Sequence, residues 1–408
     1  MVQAPQGSRA VRGSVVTDLI PYMGTKRELS AAVLEATQSC RTGAVVDLFA
    51  GMGSVAAAHE QIRPVWANDV QHFAYLNNKC RLTGQNPNSS SLLNAANEAL
   101  FKGNMAAIAE QSKPAYRALK EAEAASEYDS FASALSRSTD GFEEVSNAFC
   151  CFTNRYSGSY FSLLQCAEID SIRCLLENAR GFGRVGTNDF DWGLLCLGAA
   201  MLRCANTTGH FAQYLKPNQG NWRRIQRQYR KSVWEAWKSA LKQLKPFGEQ
   251  AWRQKNRVSR LDALEALEKA EVTDLGVVYC DPPYTNDQYS RFYHLWETLV
   301  LYDYPITTGN GLYRSNRFAT GFSHVRGVSA AFEQLVSQVA AAGADIVLSY
   351  PSNGLLHDAG NDPLEIIRQH FSSATLRKEI SYGHSSMGAS KGMQKNIVFE
   401  RIYVGQNG

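Results

Sequence analysis

The sequence predicts an α/β protein with a doubly wound sheet, and three observations lead to this prediction. Residues 44–51, 65–69, 276–280 and 345–350 are short and apolar, which is typical of strands that are covered on both faces. Helical patterns separate these segments, as expected when helices connect parallel strands. The first segment, AVVDLFAG, runs directly into a glycine turn, and such turns lie at the ligand-binding edge of doubly wound sheets.

The remaining organisation follows from the same patterns. Residues 374–382 (ATLRKEISY) and 395–404 (KNIVFERIYV) are predicted to be two more strands that are joined by a loop. From about residue 90 to about residue 255 the pattern is mainly helical, with polar breaks. The 408 residues are enough for one large domain or for two ordinary ones.

Composition excludes several classes of protein. No apolar run reaches the roughly 18 residues that a membrane-spanning helix needs. The first residues lack the apolar core of a secretory signal. The nine cysteines include no Cys-x-x-Cys pair, which indicates reduced thiols in a cytoplasmic protein, and the eight histidines are scattered. We therefore expect neither a membrane anchor nor a metal site.

Residues 47–56, DLFAGMGSVA, have the pattern of a strand, a glycine turn and a helix. Gly51 and Gly53 allow the backbone to turn tightly and to approach a ligand. Asp69 follows the second predicted strand, and an acid at that place typically accepts hydrogen bonds from two ribose hydroxyls. Together with Ala56, the glycines also fit the loose dinucleotide fingerprint, so the pattern alone does not separate a nicotinamide enzyme from one that uses S-adenosylmethionine.

Residues 277–284, VVYCDPPY, place an acid at the end of a buried strand. Neither Pro282 nor Pro283 can donate a ladder hydrogen bond, so the strand stops and presents Asp281 at its tip. The Asp281 carboxylate and the Pro282 carbonyl offer two acceptors in fixed geometry, which suits the two protons of a planar amino group. Accepting both protons exposes the lone pair of the nitrogen for methyl transfer. Tyr284 offers a ring for stacking on a base that has left the duplex.

A strongly basic stretch precedes this strand. Residues 222–260 contain twelve Lys or Arg and two Glu, and the apolar residues from Trp222 to Leu244 follow helical spacing. The basic side chains either form a solvated helix face or contact the phosphates of a nucleic acid. The sequence leaves both interpretations open.

At this point the chain resembles a known family, the Dam-type (class alpha) adenine-N6 DNA methyltransferases. Residues 21–29 (PYMGTKREL) are similar to the amino-terminal cofactor motif of that family, and DLFAGMGSVA is similar to its glycine-containing motif. The segment AND (67–69) is similar to its ribose-binding acid, and DPPY (281–284) is similar to its catalytic motif. Residues 256–263 (NRVSRLDA) are similar to a segment that places an acid near the cofactor adenine.

The resemblance implies a Rossmann-like, S-adenosylmethionine-dependent methyltransferase that flips its target adenine out of double-stranded DNA and methylates N6. The implied cofactor-binding residues are Tyr22, Gly24, Lys26, Asp47, Phe49, Gly51, Gly53, Asp69 and Asp262. The implied catalytic residues are Asp281, Pro282, Pro283 and Tyr284. As DNA contacts we expect Arg223, Arg227, Arg230, Tyr289, Arg291 and Lys391.

The resemblance also implies a division of the chain. Residues 1–90 and 251–408 would form two parts of one catalytic domain, and residues 91–250 would form a helical insertion that recognises the target. A cognate restriction or defence-system component is an expected partner, in a bacterial, archaeal or phage-infected cell.

Four other functions were weighed against this one. An RNA adenine methyltransferase would use the same chemistry, and methylation of cytosine N4 also fits an amino-group mechanism. A DNA-binding regulator with an inactive site is a further alternative, although Asp281 and Tyr284 are intact. A nicotinamide dehydrogenase would leave the DPPY segment unexplained.

Overall fold

The computed structural model describes residues 29–93, 98–139, 144–146, 149–269, 274–286, 288–383 and 397–408. Its strands are β1 (Ala44–Asp47), β2 (Val65–Asn68), β3 (Arg257–Ser259), β4 (Leu275–Cys280), β5 (Thr307–Thr308), β6 (Tyr313–Arg314), β7 (Asp345–Pro351), β8 (Ser373–Gly383) and β9 (Ile397–Gln406). Seven of them form one sheet, and β5 pairs with β6 in a small hairpin. The predicted α/β class and all six predicted strands are confirmed, whereas β3 and the hairpin were not predicted.

The order of strands in the large sheet is β3-β2-β1-β4-β7-β9-β8. The pairs β1–β2, β2–β3, β1–β4 and β4–β7 are parallel, and β9 runs antiparallel to both β7 and β8. The chain therefore leaves β1 toward one edge of the sheet and later returns to the other side of β1 as β4. In doubly wound sheets, ligands bind outside the carboxyl ends of the strands at such a switch point.

Helices cover the sheet and form a further layer. They are α1 (Ser30–Gln38), α2 (Ser54–Ala58), α3 (His72–Asn78), α4 (Ser89–Leu93), α5 (Glu98–Gln111), α6 (Lys113–Ala124), α7 (Tyr128–Thr139), α8 (Cys151–Tyr156), α9 (Leu163–Gly181), α10 (Thr187–Cys204), α11 (Trp222–Tyr229), α12 (Val233–Gln243), α13 (Gln250–Arg253), α14 (Ala263–Glu268), α15 (Ser290–Leu301), α16 (Val325–Ala341), α17 (Leu355–Asp358) and α18 (Pro363–His370). A π-helical turn, Lys79–Thr83, extends α3, and a 3-10 turn, Gly321–Ser323, precedes α16.

Alternate side chains of the central strands pack on opposite faces of the sheet. Val45 and Val277 pack with α1, whereas Val46 and Val278 pack in a cluster with α14, α16 and α18. Both clusters are buried, and this explains why these strands are continuous apolar runs rather than alternating ones.

Residues 222–244 of the basic stretch form two helices rather than one. Residues 230–232 separate α11 from α12, and the Ser232 hydroxyl accepts a hydrogen bond from the Glu235 amide at 3.2 Å, which caps α12. The apolar stripe of the stretch is nevertheless buried, with Ile225 and Tyr229 on α11 and Trp237 on α12. The apolar residues at helical spacing are therefore buried in both helices, although the helix is interrupted at residues 230–232.

The helices of the middle segment share one apolar core with two helices that flank the sheet. This core contains Phe73 of α3, Trp192 of α10, Trp237 of α12 and Trp296 of α15. The rings of Phe73 and Trp296 stack with centroids 4.3 Å apart. The division at residues 90 and 250 stays a prediction. Within the described ranges, no helix is both long and apolar enough to cross a membrane.

Candidate active site

A pocket lies at the carboxyl ends of the parallel strands. Its first part, the β1–β3 end, is lined by Asp47, Leu48, Phe49, Ala50, Gly51, Met52, Ser54, Val55, Asp69, Val70, Gln71, Leu261, Asp262 and Ala263. Its second part, the β4 end, is lined by Tyr279, Asp281, Pro283, Gln288, Tyr289, Ser290, Phe318, Thr320 and Phe322. The pocket therefore brings together segments that are more than two hundred residues apart in the sequence.

The glycine turn that the sequence predicts after β1 has a left-handed backbone at both glycines. Gly51 has φ +49° and Gly53 has φ +71°, a region that other residues rarely adopt. A Cβ atom at Gly53 would lie 2.4 Å from the Oδ1 atom of buried Asn78. The Asn78 amide group also donates a hydrogen bond to the Gly51 carbonyl at 3.0 Å. Asn78 of α3 thus supports the turn, and the lack of a Cβ atom at Gly53 leaves space for the Asn78 side chain.

Asp69 lies on the pocket wall directly after β2. Its carboxylate accepts hydrogen bonds from the backbone amides of Gly51 and Gln71, both at 2.9 Å. Burial raises the pKa of Asp69 to about 6, against the opposing effect of these two amides. The carboxylate is therefore mainly ionised at neutral pH and keeps lone pairs for a ligand hydroxyl.

Asp47 is the most deeply buried acid of the pocket. Its side chain is 1% exposed, and its Oδ1 atom has no hydrogen-bond partner among the described residues. Burial raises the pKa of Asp47 well above its usual range, and the nearby charges of Asp281 and Asp69 raise it further. With Asp262, four carboxyl groups line one pocket, and such a lining favours a cationic ligand. Across the described residues, no group of three or more His, Cys, Asp or Glu could hold a metal ion.

Asn68 and Asp262 fix the loop that follows β3. The Asn68 amide group donates to the carbonyls of Leu48 and Leu261, and its oxygen accepts from the Ser259 hydroxyl and the Leu261 amide. Asp262 accepts from the Leu264 amide at 2.9 Å and thereby caps α14. Asp262 lies on the pocket wall, and its place near a bound adenine, which the family resemblance implies, stays a prediction.

Asp281 follows β4 at the switch point. Tyr279, two residues before Asp281, pairs with Asp47 across β1 and β4, so the two acids lie at the same end of the sheet. Pro283 also lines the pocket, whereas Pro282 is buried. The described part of the chain therefore brings the acid of DPPY and the glycine turn to one cavity.

Tyr284 is half-buried and is not among the residues that line the pocket. Its ring meets those of Tyr289 and Tyr350 edge to face, with centroids 6.4 Å and 6.5 Å away. Tyr289 itself does line the pocket. The stacking role of Tyr284 thus stays a prediction, whereas Tyr279 and Tyr289 are tyrosines that line the pocket.

The sequence analysis missed the segment that closes the β4 end. Phe318, Thr320 and Phe322 line the pocket from the connection between α15 and α16, and the Phe322 ring meets Phe49 edge to face at 5.5 Å. No periodicity marks these residues.

The predicted DNA-contacting arginines have mixed surroundings. Arg223 donates a hydrogen bond to the Ser126 carbonyl at 3.0 Å, and Arg230 donates one to the Glu123 carbonyl at the end of α6. Arg227 is exposed on α11 and makes no hydrogen bond or ion pair within the described ranges. Two of the three therefore brace the helical layer, whereas Arg227 projects into solvent.

Arg291 lies beside the pocket at the start of α15, with its guanidinium group 5.0 Å from the centre of the Phe292 ring. The predicted residues Tyr22, Gly24, Lys26 and Lys391 lie outside the described residues. Their assignments, like those of the other predicted site residues, stay predictions.

Comparison with known proteins gives a family. A family model described as D12 class N6 adenine-specific DNA methyltransferase matches residues 22–149 and 199–342. This match includes the glycine turn, Asp69 and the DPPY segment, so it covers both ends of the pocket.

Three curated proteins are also similar to the chain. The type II methyltransferase M.FokI of Planomicrobium okeanokoites is 27% identical over 76% of this chain and 41% of its own length. The modification methylase StsI of Streptococcus sanguinis is 22% identical over 83% of this chain and 44% of its own length. The modification methylase LlaI of Lactococcus lactis subsp. lactis is 22% identical over 93% of this chain and 54% of its own length. The chain thus spans about half the length of these relatives.

Proposed function

Because the chain belongs to the D12 class N6 adenine-specific DNA methyltransferase family, we propose that it methylates N6 of adenine within a specific DNA sequence. The observation that carries the proposal is that Asp281 and Asp69 line one pocket at the switch point of the sheet. One of these acids suits an amino group, and the other suits a ribose. The narrower Dam-type assignment rests on the order of the motifs.

The pocket fits S-adenosylmethionine as the methyl donor. This molecule carries positive charge on its sulfonium and ammonium groups, and the pocket offers four carboxyl groups, one of which has the buried and unpartnered oxygen of Asp47. Asp69 would accept the ribose hydroxyls, and Asp262, which lines the same pocket, would accept a hydrogen bond from the adenine amino group. When bound, S-adenosylmethionine supplies an activated methyl group, so neither a metal ion nor a covalent nucleophile is required of the chain.

The residues at the β4 end orient the acceptor. The Asp281 carboxylate and the Pro282 carbonyl accept hydrogen bonds from the two N6–H groups, which draws the nitrogen lone pair out of conjugation with the purine ring. Asp281 also stabilises the positive charge that develops on this nitrogen before a proton is lost. Tyr289 and Tyr284 supply rings beside the acceptor, which offsets part of the free energy of unstacking the base.

The relatives that are named modification methylases support a setting in restriction and modification. We propose double-stranded DNA as the substrate and a restriction or defence-system component as a partner of the same locus. The helical layer beside the pocket is the proposed place of target recognition.

Modification-sensitive long-read sequencing tests the proposal. DNA is taken from a methylation-free host that expresses this chain, and the Asp281→Ala variant serves as the control. We expect N6-methyladenine at one recurrent motif, and we expect it to be absent with the variant, while S-adenosylhomocysteine binding by calorimetry changes little. Unmodified DNA together with methylated adenine in the RNA of the same cells would refute DNA as the substrate. Equal methylation by the variant would refute the role of Asp281.

A further inference from the structure

The mouth of the pocket is bordered by residues 315–320, here called the rim loop. The Ser290 hydroxyl donates a hydrogen bond to the Phe318 carbonyl at 2.7 Å. The Thr320 amide donates to the Gln288 side-chain oxygen at 3.3 Å. Gln288 and Ser290 also line the pocket, so the rim loop is fastened to the β4 end, where the acceptor base would enter.

Phe318 gives this loop an exposed aromatic ring. Its side chain is 38% exposed although it lines the pocket, so one part of the ring faces the cavity region and another part faces solvent. A nucleic-acid base is a suitable partner, because every base has a flat face that stacks on an aromatic ring.

Arg317 places a positive charge beside this ring. Its Nε atom donates to the Arg314 carbonyl at 3.1 Å, and its guanidinium group lies 4.7 Å from the centre of the Tyr313 ring. Its Nη1 atom is buried and has no hydrogen-bond partner among the described residues, and Arg317 forms no salt bridge with any of them. A guanidinium group that is held in place and lacks an acidic partner is suited to bind a phosphate.

Arg291 adds positive charge near Arg317. Burial lowers the pKa of Arg317, and the neighbouring charge of Arg291 lowers it further. Burial also lowers the pKa of His210, and the charge of Arg291 lowers it further. The His210 ring packs edge to face on Phe292. Repulsion between the guanidinium groups of Arg291 and Arg317 costs free energy in the ligand-free protein, and an anion at this place would relieve it.

We propose that the rim loop binds the DNA strand that carries the target adenine, with Arg317 on a phosphate beside the flipped nucleotide and Phe318 stacked on a neighbouring base. This inference rests on the proposed function and deepens it, since it names the residues that hold the acceptor strand at the pocket. Neither residue belongs to a motif that the sequence analysis identified.

Fluorescence anisotropy with a short duplex that carries the motif found by sequencing tests the proposal, in the presence of S-adenosylhomocysteine. The variants are Arg317→Ala, Arg317→Lys and Phe318→Ala. The matched controls are Arg368→Ala and Phe182→Ala, since both of these residues are exposed and lie outside the pocket. For Arg317→Ala we expect the slope of log affinity against log salt concentration to fall by about one between about 50 and 200 mM salt. Arg317→Lys should keep the slope.

Phe318→Ala should weaken duplex binding by roughly 5- to 100-fold without changing the salt slope, because a stacking contact is lost and no charge is removed. It should also reduce the fluorescence increase of 2-aminopurine at the target position. Both controls should behave as the unchanged protein.

Three results would overturn the inference. One is an unchanged salt slope in Arg317→Ala together with unchanged duplex affinity in Phe318→Ala, while DNA methylation by the unchanged chain persists. Another is a loss of S-adenosylhomocysteine binding in these variants that equals their loss of duplex binding, because the loop would then support the fold of the pocket and not contact DNA. Failure of the unchanged chain to bind or methylate any duplex would instead refute the proposed function, and the rim assignment with it.

Discussion

Replacing Gly53 by alanine perturbs the turn between β1 and α2, which Asn78 of α3 contacts, and the structure sets the size of the effect. The left-handed backbone at φ +71° costs an alanine about 1–2 kcal/mol. The new Cβ atom would lie 2.4 Å from the Asn78 Oδ1 atom, so the Asn78 side chain has to move. Its hydrogen bond to the Gly51 carbonyl, at 3.0 Å, would then be lost, which adds about 1 kcal/mol. We expect a total loss of stability of about 2–3 kcal/mol.

Gly343→Ala is the matched control for this substitution. Gly343 has φ +74°, almost the same as Gly53, but a Cβ atom there would meet nothing within 4 Å. It precedes β7 at the opposite end of the strand from the pocket. The control therefore carries the backbone penalty alone, and the difference between the two variants measures the collision with Asn78.

Thermal unfolding and calorimetric binding of S-adenosylhomocysteine are the two assays. We expect Gly53→Ala to lower the melting temperature more than Gly343→Ala does. We also expect it to weaken S-adenosylhomocysteine binding about tenfold or more, since a displaced Gly51 amide no longer holds Asp69 and each factor of ten corresponds to about 1.4 kcal/mol. Gly343→Ala should bind normally.

A double-mutant cycle with Asn78→Ala isolates the cause. In that background the collision is gone, so Gly53→Ala should cost only the backbone penalty. Equal melting temperatures for Gly53→Ala and Gly343→Ala, or the same cost of Gly53→Ala with and without Asn78, would refute the reasoning.

Three further predictions follow from individual side chains. Burial raises the pKa of Asp69 from 3.8 to about 6. This group therefore contributes less stability to the ligand-free protein as the pH rises through that range. The affinity for S-adenosylhomocysteine should instead fall as the pH drops below about 6. Thermal unfolding across this range checks the sign of the stability change, and titration calorimetry checks that of the affinity; Asp69→Asn should bind weakly at every pH. Asp170→Asn should lower stability by about 2–3 kcal/mol, because buried Asp170 accepts hydrogen bonds from two backbone amides and two hydroxyls. Thermal unfolding measures this loss, and an unchanged melting temperature would contradict the prediction. Arg227→Ala should reduce the salt dependence of DNA binding without changing the melting temperature, whereas Arg223→Ala, which removes the hydrogen bond to the Ser126 carbonyl, should lower the melting temperature. The opposite assignment of the two effects would show that Arg227, not Arg223, braces the helices.

The glycine turn and the DPPY segment were predictable because their meaning is local. An apolar run followed by an acid or by two prolines ends a strand wherever the strand lies in the sheet. The carboxyl ends of parallel strands meet at one edge, so the proximity of Asp69 and Asp281 follows once the strands are assigned. The left-handed backbone at Gly51 and Gly53 is likewise a property of the residue type.

The arginines of the basic stretch show where local reasoning fails. Arg223, Arg227 and Arg230 have the same charge and share one stretch of sequence, yet two of them bind backbone carbonyls near the end of α6 and one does not. Charge alone does not reveal which guanidinium groups are used inside the protein, because that depends on how α11 packs against α6.

The sequence by itself determined the α/β class, the central strands and the acids at their ends. Strands that are buried on both faces appear as continuous apolar runs, and glycine or proline marks the turns that follow them. Only the tertiary structure decided that Phe318, Thr320 and Phe322 close the pocket and that Arg317 lies beside them. Loop residues carry no periodic burial pattern, and their positions depend on contacts such as the one between Ser290 and the Phe318 carbonyl. For this protein, long-range packing therefore decides how the mouth of the site is built, while local patterns decide where its chemistry lies.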